Sequence, residues 1–219
     1  MAQVAPSADR NKDAIWEVLR SVLPPPRADA EVKLLEVATG TGQHAAHFAA
    51  LRSDLLVQPT DVTLDMAASA AAYASQAGPE VQRRVLPLKR LDVLQPLGED
   101  VRAIAPFDAA MCINMLHISP PECGEKLFAI VAEALQPGGL LLTYGPYRLD
   151  GFLVQSNIDF ENNFLKQKDE RFSIREVREL EQLAGAHGFT LEAIHDMPAN
   201  NKSLIWRFRG GAGHMAAAE

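Results

Sequence analysis

An apolar run over residues 32–37 delivers the chain directly into Ala38-Thr39-Gly40-Thr41-Gly42, and a helical pattern follows from about residue 43 to residue 51. A strand that ends in a tight glycine turn and then opens a helix is a strong constraint, because glycine lets the backbone bend sharply and lets a ligand approach it closely. The helix presents unpaired N–H groups and the positive end of its dipole at that turn. The expected occupant is a polar or negatively charged, nucleotide-like ligand. About twenty residues further on, Asp61 ends a second apolar run, where a carboxylate can accept hydrogen bonds from two ribose hydroxyls. Turn and acid together point to a nucleoside. The competing reading makes the glycines a matter of strand-to-helix packing and Asp61 a solvated turn residue.

The rest of the chain repeats the alternation. Residues 11–23 carry Ile15, Leu19, Val22 and Leu23 at helical spacing before Pro24-Pro25-Pro26 stops the helix. Residues 55–58 read as a strand, residues 64–76 as an alanine-rich helix closed by Gly78, and residues 85–91 as a strand ending at Asp92. Residues 107–113 read as a strand ending at Asn114, and residues 139–144 as one ending near Gly145. Strands alternating with helices imply an α/β, doubly wound, Rossmann-like parallel sheet with right-handed crossovers. Residues 146–172 are polar and weakly periodic, which suggests a lid or substrate loop. Ser173 and Glu176 have capping-box spacing ahead of a helix that ends at Gly188. Residues 189–195 and 203–208 then read as a C-terminal antiparallel hairpin. One domain is expected over residues 1–209, with residues 210–219 a fraying tail.

Composition narrows the function. A chain of 219 residues with 47% hydrophobic and 22% charged residues can form one well-packed globular core. A net charge of −7 argues against a general nucleic-acid surface, which needs clustered Lys and Arg. Lys166, Lys168 and Arg171 form one local basic patch that keeps a specific RNA or protein partner open. A small-molecule substrate fits the balance better. The two cysteines, Cys112 and Cys123, lack partners at metal-ligand spacing, so no metal is expected. Neither a signal peptide nor the roughly 18 apolar residues of a membrane span is visible. A cytoplasmic protein, monomeric or homodimeric and away from membranes, is the expectation.

Which nucleoside binds is a question of charge. The spacing Gly40-x-Gly42-x-x-Ala45 also satisfies the dinucleotide fingerprint, so an NAD(P)-dependent oxidoreductase is an alternative. Against it, Glu36 places an acid just ahead of the turn, where a pyrophosphate is repelled and a cationic sulfonium or amino group attracted. Asp92 ends the third strand at the same edge, where its carboxylate or neighbouring backbone can accept from an adenine amine. No Tyr-x-x-x-Lys pair is present. A non-catalytic nucleoside-binding module is a third possibility.

The order of Glu36-x-Ala38-x-Gly40-x-Gly42, Asp61, Asp92, Asn114 and Leu135-Gln136-Pro137-Gly138-Gly139 resembles the class I S-adenosylmethionine-dependent methyltransferase superfamily. The chain is more closely similar to a poorly characterised methyltransferase-like family of unknown function, found in bacteria and animals. That likeness rests on Arg10-Asn11-Lys12-Asp13, Gly42-Gln43-His44-Ala45-Ala46-His47-Phe48, Cys112-Ile113-Asn114-Met115, Thr143-Tyr144-Gly145-Pro146-Tyr147 and Asp196-Met197-Pro198-Ala199-Asn200-Asn201-Lys202. The resemblance implies a seven-stranded, mostly parallel sheet with one antiparallel strand and S-adenosylmethionine at its carboxyl edge. It implies that Glu36, Ala38, Thr39, Gly40 and Gly42 hold the methionine half, that Asp61 holds the ribose and that Asp92 meets the adenine. Backbone at Asn114 and Met115 lines the methionine near the methyl group. Ala38 departs from the glycine usual in the superfamily.

That placement puts His117 at the mouth of the site, where a neutral imidazole can take a proton from an attacking group or orient it; a structural role is the alternative. Tyr144 and Tyr147 flank the end of the fifth strand, facing either substrate or core. Gln155, Ser156 and Asn157, with Phe160 and Phe164 as anchors, are candidates for substrate recognition on the long segment. Asn200 and Asn201 follow the sixth strand, where they reach substrate or simply suit a turn. His44 is expected beside the donor's carboxylate, with His47 three residues on but no third metal ligand. Asn11 and Lys12 either cap the first helix or fold over the donor.

Overall fold

The computed structural model describes residues 1–26 and 30–210, and the expectation of a fraying tail falls on residues outside that range apart from Gly210. The strands are β1 (Val32–Val37), β2 (Leu55–Asp61), β3 (Lys89–Arg90), β4 (Phe107–Ile113), β5 (Leu135–Gly145), β6 (Tyr147–Arg148), β7 (Arg175–Glu176), β8 (Phe189–Met197) and β9 (Asn201–Phe208). The α-helices are α1 (Pro6–Val22), α2 (Gln43–Leu51), α3 (Ala67–Gln76), α4 (Pro79–Arg84), α5 (Glu99–Arg102), α6 (Glu122–Ala134), α7 (Gln155–Phe160), α8 (Lys166–Lys168) and α9 (Val177–Ala186).

Seven strands form one sheet in the order β3-β2-β1-β4-β5-β9-β8. Neighbours run parallel except that β9 is antiparallel to both β5 and β8, which makes β8 parallel to the rest. The C-terminal hairpin therefore supplies the antiparallel strand, and the expected Rossmann-like topology is the observed one. The order reverses between β1 and β4, where successive crossovers go to opposite faces and leave a crevice at the carboxyl edge.

Strand alternation distributes the apolar side chains between two layers. Leu34, Met111, Leu142 and Ile205 pack with Ile15, Leu19 and Phe48 on the α1–α2 face. Leu35, Val37, Leu141 and Trp206 pack with Leu127, Phe128 and Leu180 on the α6–α9 face. Trp206, the largest of the fully buried side chains, donates its indole N–H to Thr143 Oγ1 at 3.0 Å, so its polar atom is satisfied inside the core.

Four local expectations shift. α1 begins at Pro6, whose fixed φ and missing N–H suit the first helical position, rather than near residue 11. The third strand shrinks to Lys89–Arg90 plus a single bridge from Val85 to Val57, because β3 lies at the sheet edge with one partner. Residues 146–172 are largely ordered as helix: α7 continues through a π-helical turn, Glu161–Leu165, into α8. Their apolar residues face a small core of their own, around Leu153, Leu165 and Ile174, which hides the helical period from a pattern referred to the main sheet. Finally, α9 starts at Val177, and its cap is Glu176, whose carboxylate accepts from Arg178 N; Ser173 Oγ instead accepts from Arg175.

Candidate functional site

The turn after β1 is built around three residues with positive φ: Ala38 at 59°, Gly40 at 55° and Gly42 at 85°. The two glycines serve different ends. A Cβ on Gly42 would lie 2.5 Å from the Cα of Ala70, so α3 packs directly against the turn. A Cβ on Gly40 would meet nothing within 4 Å, so open space lies where a ligand should approach. Ala38 takes the left-handed conformation without glycine's freedom, which stores about 1–2 kcal/mol of strain beside the site.

Asp61 meets the glycine turn directly, and Asp92 follows the neighbouring edge strand. Asp61 pairs in register with Arg90, and its backbone oxygen accepts from Leu91 N at 2.8 Å, which brings the start of the Asp92 turn alongside it. Asp61 Oδ2 accepts from Gly40 N at 2.8 Å and Oδ1 from Val62 N at 2.8 Å, so the half-buried acid is locked onto the glycine turn. Asp92, also half-buried, accepts from Leu94 N at 3.0 Å. Glu36 lies one layer deeper, 1% exposed, with the Thr39 hydroxyl donating to it. Burial raises its pKa to about 8, opposed by the Thr39 hydrogen bond and reinforced by the charge of Asp61. Glu36 thus underpins the turn from below, while Thr60 Oγ1 donates to its backbone oxygen at 2.7 Å.

His44, in the first turn of α2, is 6% exposed, and burial lowers its pKa to about 4. Its Nε2 lies 2.8 Å from Asn11 Oδ1, and because a carbonyl oxygen only accepts, that nitrogen carries the hydrogen. Burial raises the Tyr144 pKa, opposed by the neighbouring amides of Asn11 and Asn201. Residues near the N-terminus thereby close over the α2 turn: Gln43 Oε1 accepts from Ala5 N at 2.6 Å, Gln43 Nε2 donates to Asp9 at 2.9 Å, and Gln3 N donates to Ser69 at 2.8 Å. Asn11 does not cap α1, whose N-cap is Ala5; it lies within the helix, facing His44. The roles of Gln43, Asp9 and Ser69 gave no motif in the sequence; only the proline at the start of α1 hinted that residues 6–10 belong to that helix. His47 sits 2.8 Å from Asp13, and among the described residues no group of three His, Cys, Asp or Glu side chains is placed to hold a metal.

At the ends of β4 and β5, Asn114 takes a left-handed φ of 62° and donates its N–H to Tyr144 O at 2.8 Å. Met115 then begins a 3-10 turn, Leu116–Ile118, that carries His117. His117 is not open at a mouth as expected but 6% exposed, against Gly145 and the edge of Phe160 at 5.9 Å. Burial, aided by the Arg175 charge, lowers its pKa to about 4 and keeps it neutral. Phe160 arrives on α7, which also brings Asn157 and Ser156 to the β8–β9 turn: Asn157 Nδ2 donates to Asn200 O at 3.2 Å, and Asn200 Nδ2 to Ser156 Oγ at 3.1 Å. Gln155 points elsewhere, donating to Asp159 at the surface. Tyr147 is 4% exposed within the α6–α9 core; three residues on from Tyr144, strand alternation puts it on the opposite face.

This architecture is the class I S-adenosylmethionine-dependent methyltransferase fold. An O-methyltransferase family 2 protein from Planctomyces limnophilus, solved with apigenin, superposes with a TM-score of 0.69 at 16% identity over 90% of this chain and 61% of that one. The apo S-adenosylmethionine-dependent methyltransferase SibL gives 0.67 at 20% over 93% and 58%. Magnesium protoporphyrin IX methyltransferase from Synechocystis, with bound S-adenosylhomocysteine, gives 0.64 at 14% over 94% and 89%. At such identities the likeness is one of fold, and the chain spans 56–61% of the length of several of these proteins. Within that fold the chain belongs to the family described as "Protein of unknown function (DUF938)", whose model matches residues 2–208.

Proposed function

We propose that the protein is an S-adenosylmethionine-dependent methyltransferase acting on a small-molecule acceptor. The observation that carries this reading is the hydrogen bond from Gly40 N to Asp61, which fixes an acid and a glycine turn with open space beside it at the switch point of the sheet. The residues fit such a cofactor. Asp61 holds the ribose hydroxyls, Asp92 and its neighbouring backbone meet the adenine, and the turn from Ala38 to Gly42, with His44, faces the methionine half. Glu36 adds a negative potential under the turn once a neighbouring cation draws off its proton, which suits a sulfonium and an ammonium rather than a pyrophosphate. Backbone at Asn114 and Met115 borders the reacting end.

When bound, the cofactor supplies an activated methyl group, so the chain's own work is to hold and orient. The Asn200–Ser156–Asn157 contacts tie the β8–β9 turn to α7 around the acceptor side. His117 offers a neutral nitrogen at the strand ends. One fold neighbour is named for magnesium protoporphyrin IX and another was solved with apigenin, which supports an acceptor of small-molecule size.

Asp61 is the residue to test. Asp61→Ala removes two charge-assisted hydrogen bonds to the ribose, about 1.5–3 kcal/mol each, so S-adenosylhomocysteine affinity should fall by about two to four orders of magnitude in a calorimetric titration. Thermal melts of the same variant separate loss of ligand from loss of fold. Wild-type affinity in a folded variant removes Asp61 from the site.

A further inference from the structure

The charged residues at the glycine turn and the neighbouring strand ends, Glu36, Asp61 and Asp92, are all acids, suited to hydroxyls, an amine and cationic groups. None of them suits a carboxylate, which needs a positive partner once it leaves water. The motif Arg10-Asn11-Lys12-Asp13 supplies one. Three of its side chains are already engaged: Asn11 Oδ1 accepts from His44 Nε2 at 2.8 Å, Lys12 Nζ donates to Asp9 Oδ1 at 3.1 Å, and Asp13 Oδ1 lies 2.8 Å from His47 Nε2. Arg10 makes no ion pair and no hydrogen bond among the described residues.

Its place on the helix says where that charge lies. α1 runs alongside α2, with Asn11 at the first turn of α2 and Pro24 O accepting from Arg52 Nη2 at 2.7 Å just beyond its last. The N-terminal end of α1 is therefore at the carboxyl edge of the sheet. Arg10, Ala14 and Val18 stand four residues apart and share one ridge of α1; Ala14 and Val18 pack against the core that contains Ile113 and Tyr144, the ends of β4 and β5. Arg10 is the exposed end of that ridge. Burial raises the Tyr144 pKa, and the charge of Arg10 is among the influences that oppose the rise. The acids near it are occupied, Asp9 by Lys12 and Gln43 and Asp13 by His47. On the sheet beneath, Tyr144 stands opposite Ser203 and Ser203 opposite His195, and Ser203 Oγ and His195 Nε2 are buried without a hydrogen-bond partner among the described residues. The α1 side of the edge is thus positive and short of acceptor oxygens.

Resting on the methyl-transfer reading, we propose that Arg10 is a carboxylate-binding residue of the site, its guanidinium gripping a carboxylate at the α1 side of the carboxyl edge beside Tyr144. Two molecules at this site can carry that group, the methionine half of the donor and the acceptor. In either case the arginine sets which ligands are held, and it does no chemistry itself.

Calorimetric titration of the full chain with S-adenosylhomocysteine and with 5′-methylthioadenosine, which lacks the amino-acid half, distinguishes the two sources. If the donor supplies the carboxylate, Arg10→Gln weakens S-adenosylhomocysteine by at least about tenfold and leaves 5′-methylthioadenosine unchanged. If the acceptor supplies it, both affinities hold, and an NMR titration of the S-adenosylhomocysteine complex shows acetate, but not neutral acetamide, binding to wild type and lost in Arg10→Gln. Arg20→Gln removes an exposed cation from the same helix and should change nothing. The proposal is overturned if Arg10→Gln weakens both nucleosides alike, if it alters neither nucleoside nor acetate binding, or if Arg20→Gln reproduces its effect. A wild-type chain that binds neither nucleoside overturns the methyl-transfer reading instead. Should the variant not fold, wild-type protein decides: S-adenosylhomocysteine or acetate, but not 5′-methylthioadenosine, must shield Arg10 from phenylglyoxal in a peptide mass map, and equal labelling throughout sinks the assignment.

Discussion

Gly40 and Gly42 stand two residues apart, share a positive φ and answer to different demands. Gly42→Ala drives a methyl group into the Ala70 backbone as well as straining φ, so it should destabilise the fold by at least about 2 kcal/mol in urea titration. Gly40→Ala meets no atom and should lose only about 1 kcal/mol of stability, yet its methyl group occupies the ligand's approach and should reduce S-adenosylhomocysteine binding more than tenfold. Equal effects of the two variants on stability would contradict this division of labour. The turn was readable from sequence because a left-handed backbone is a local demand that glycine announces. Tyr147 was not: alternation puts it opposite Tyr144, but which of the two layers each enters is a property of the whole sheet.

Glu36 has a folded pKa of about 8, above its ordinary value of 4.5, because burial disfavours the charge. Its contribution to stability is therefore fully present below about pH 4.5 and is lost as pH rises through 8, at no more than about 1.4 kcal/mol per pH unit. Glu36→Gln removes this dependence, so the melting temperature of the variant relative to wild type should climb steadily from pH 5 to pH 8. A constant difference would mean that Glu36 is ionised throughout. The functional counterpart is weaker donor binding by the glutamine variant.

At the scale of elements, the sequence revealed those that pack on the main sheet and blurred those that do not. α2, β1 and β4 follow a period set by the shared core, and their bounds lie close to the expected ones. The segment from α7 to α8 faces its own small cluster and passes through a π turn, so neither a helical nor a strand period runs unbroken along it. Buried Glu161 anchors that turn, accepting from Ile174 N at 3.2 Å. The start of α9 was misplaced because Ser173 and Glu176 match the capping-box spacing, while Glu176 itself is the cap and also accepts from Asp150 N at 3.1 Å and Gly151 N at 2.8 Å. Glu176→Ala should consequently cost about 1–2 kcal/mol of stability, against under about 0.5 kcal/mol for Ser173→Ala. Chemical denaturation distinguishes the two, and the reverse ranking would restore the capping box.

Across the whole molecule, the carboxyl edge of one sheet carries the glycine turn, Asp61, Asp92 and Asn114. Strand order follows from right-handed crossovers plus a terminal hairpin, so the fold class was legible from the alternation of periods alone. The acids at the ends of β1 and β2 and just after β3 were legible as a set because neighbouring parallel strands deliver their ends to one edge. The acceptor side was less so: its contacts join α1, the β4–α6 connection, α7 and the β8–β9 turn, elements distant in sequence whose meeting no spacing encodes. No helix among the described residues is long and apolar enough to cross a membrane.

A crystal structure of the protein grown with S-adenosylhomocysteine tests the central claim most directly. The account expects the ribose hydroxyls on Asp61, the adenine beside Asp92, the methionine half along the Ala38–Gly42 turn and the sulfur facing the Asn114–His117 side. Ligand density on another face of the sheet, or an empty cleft in a protein that binds NAD there instead, would contradict it.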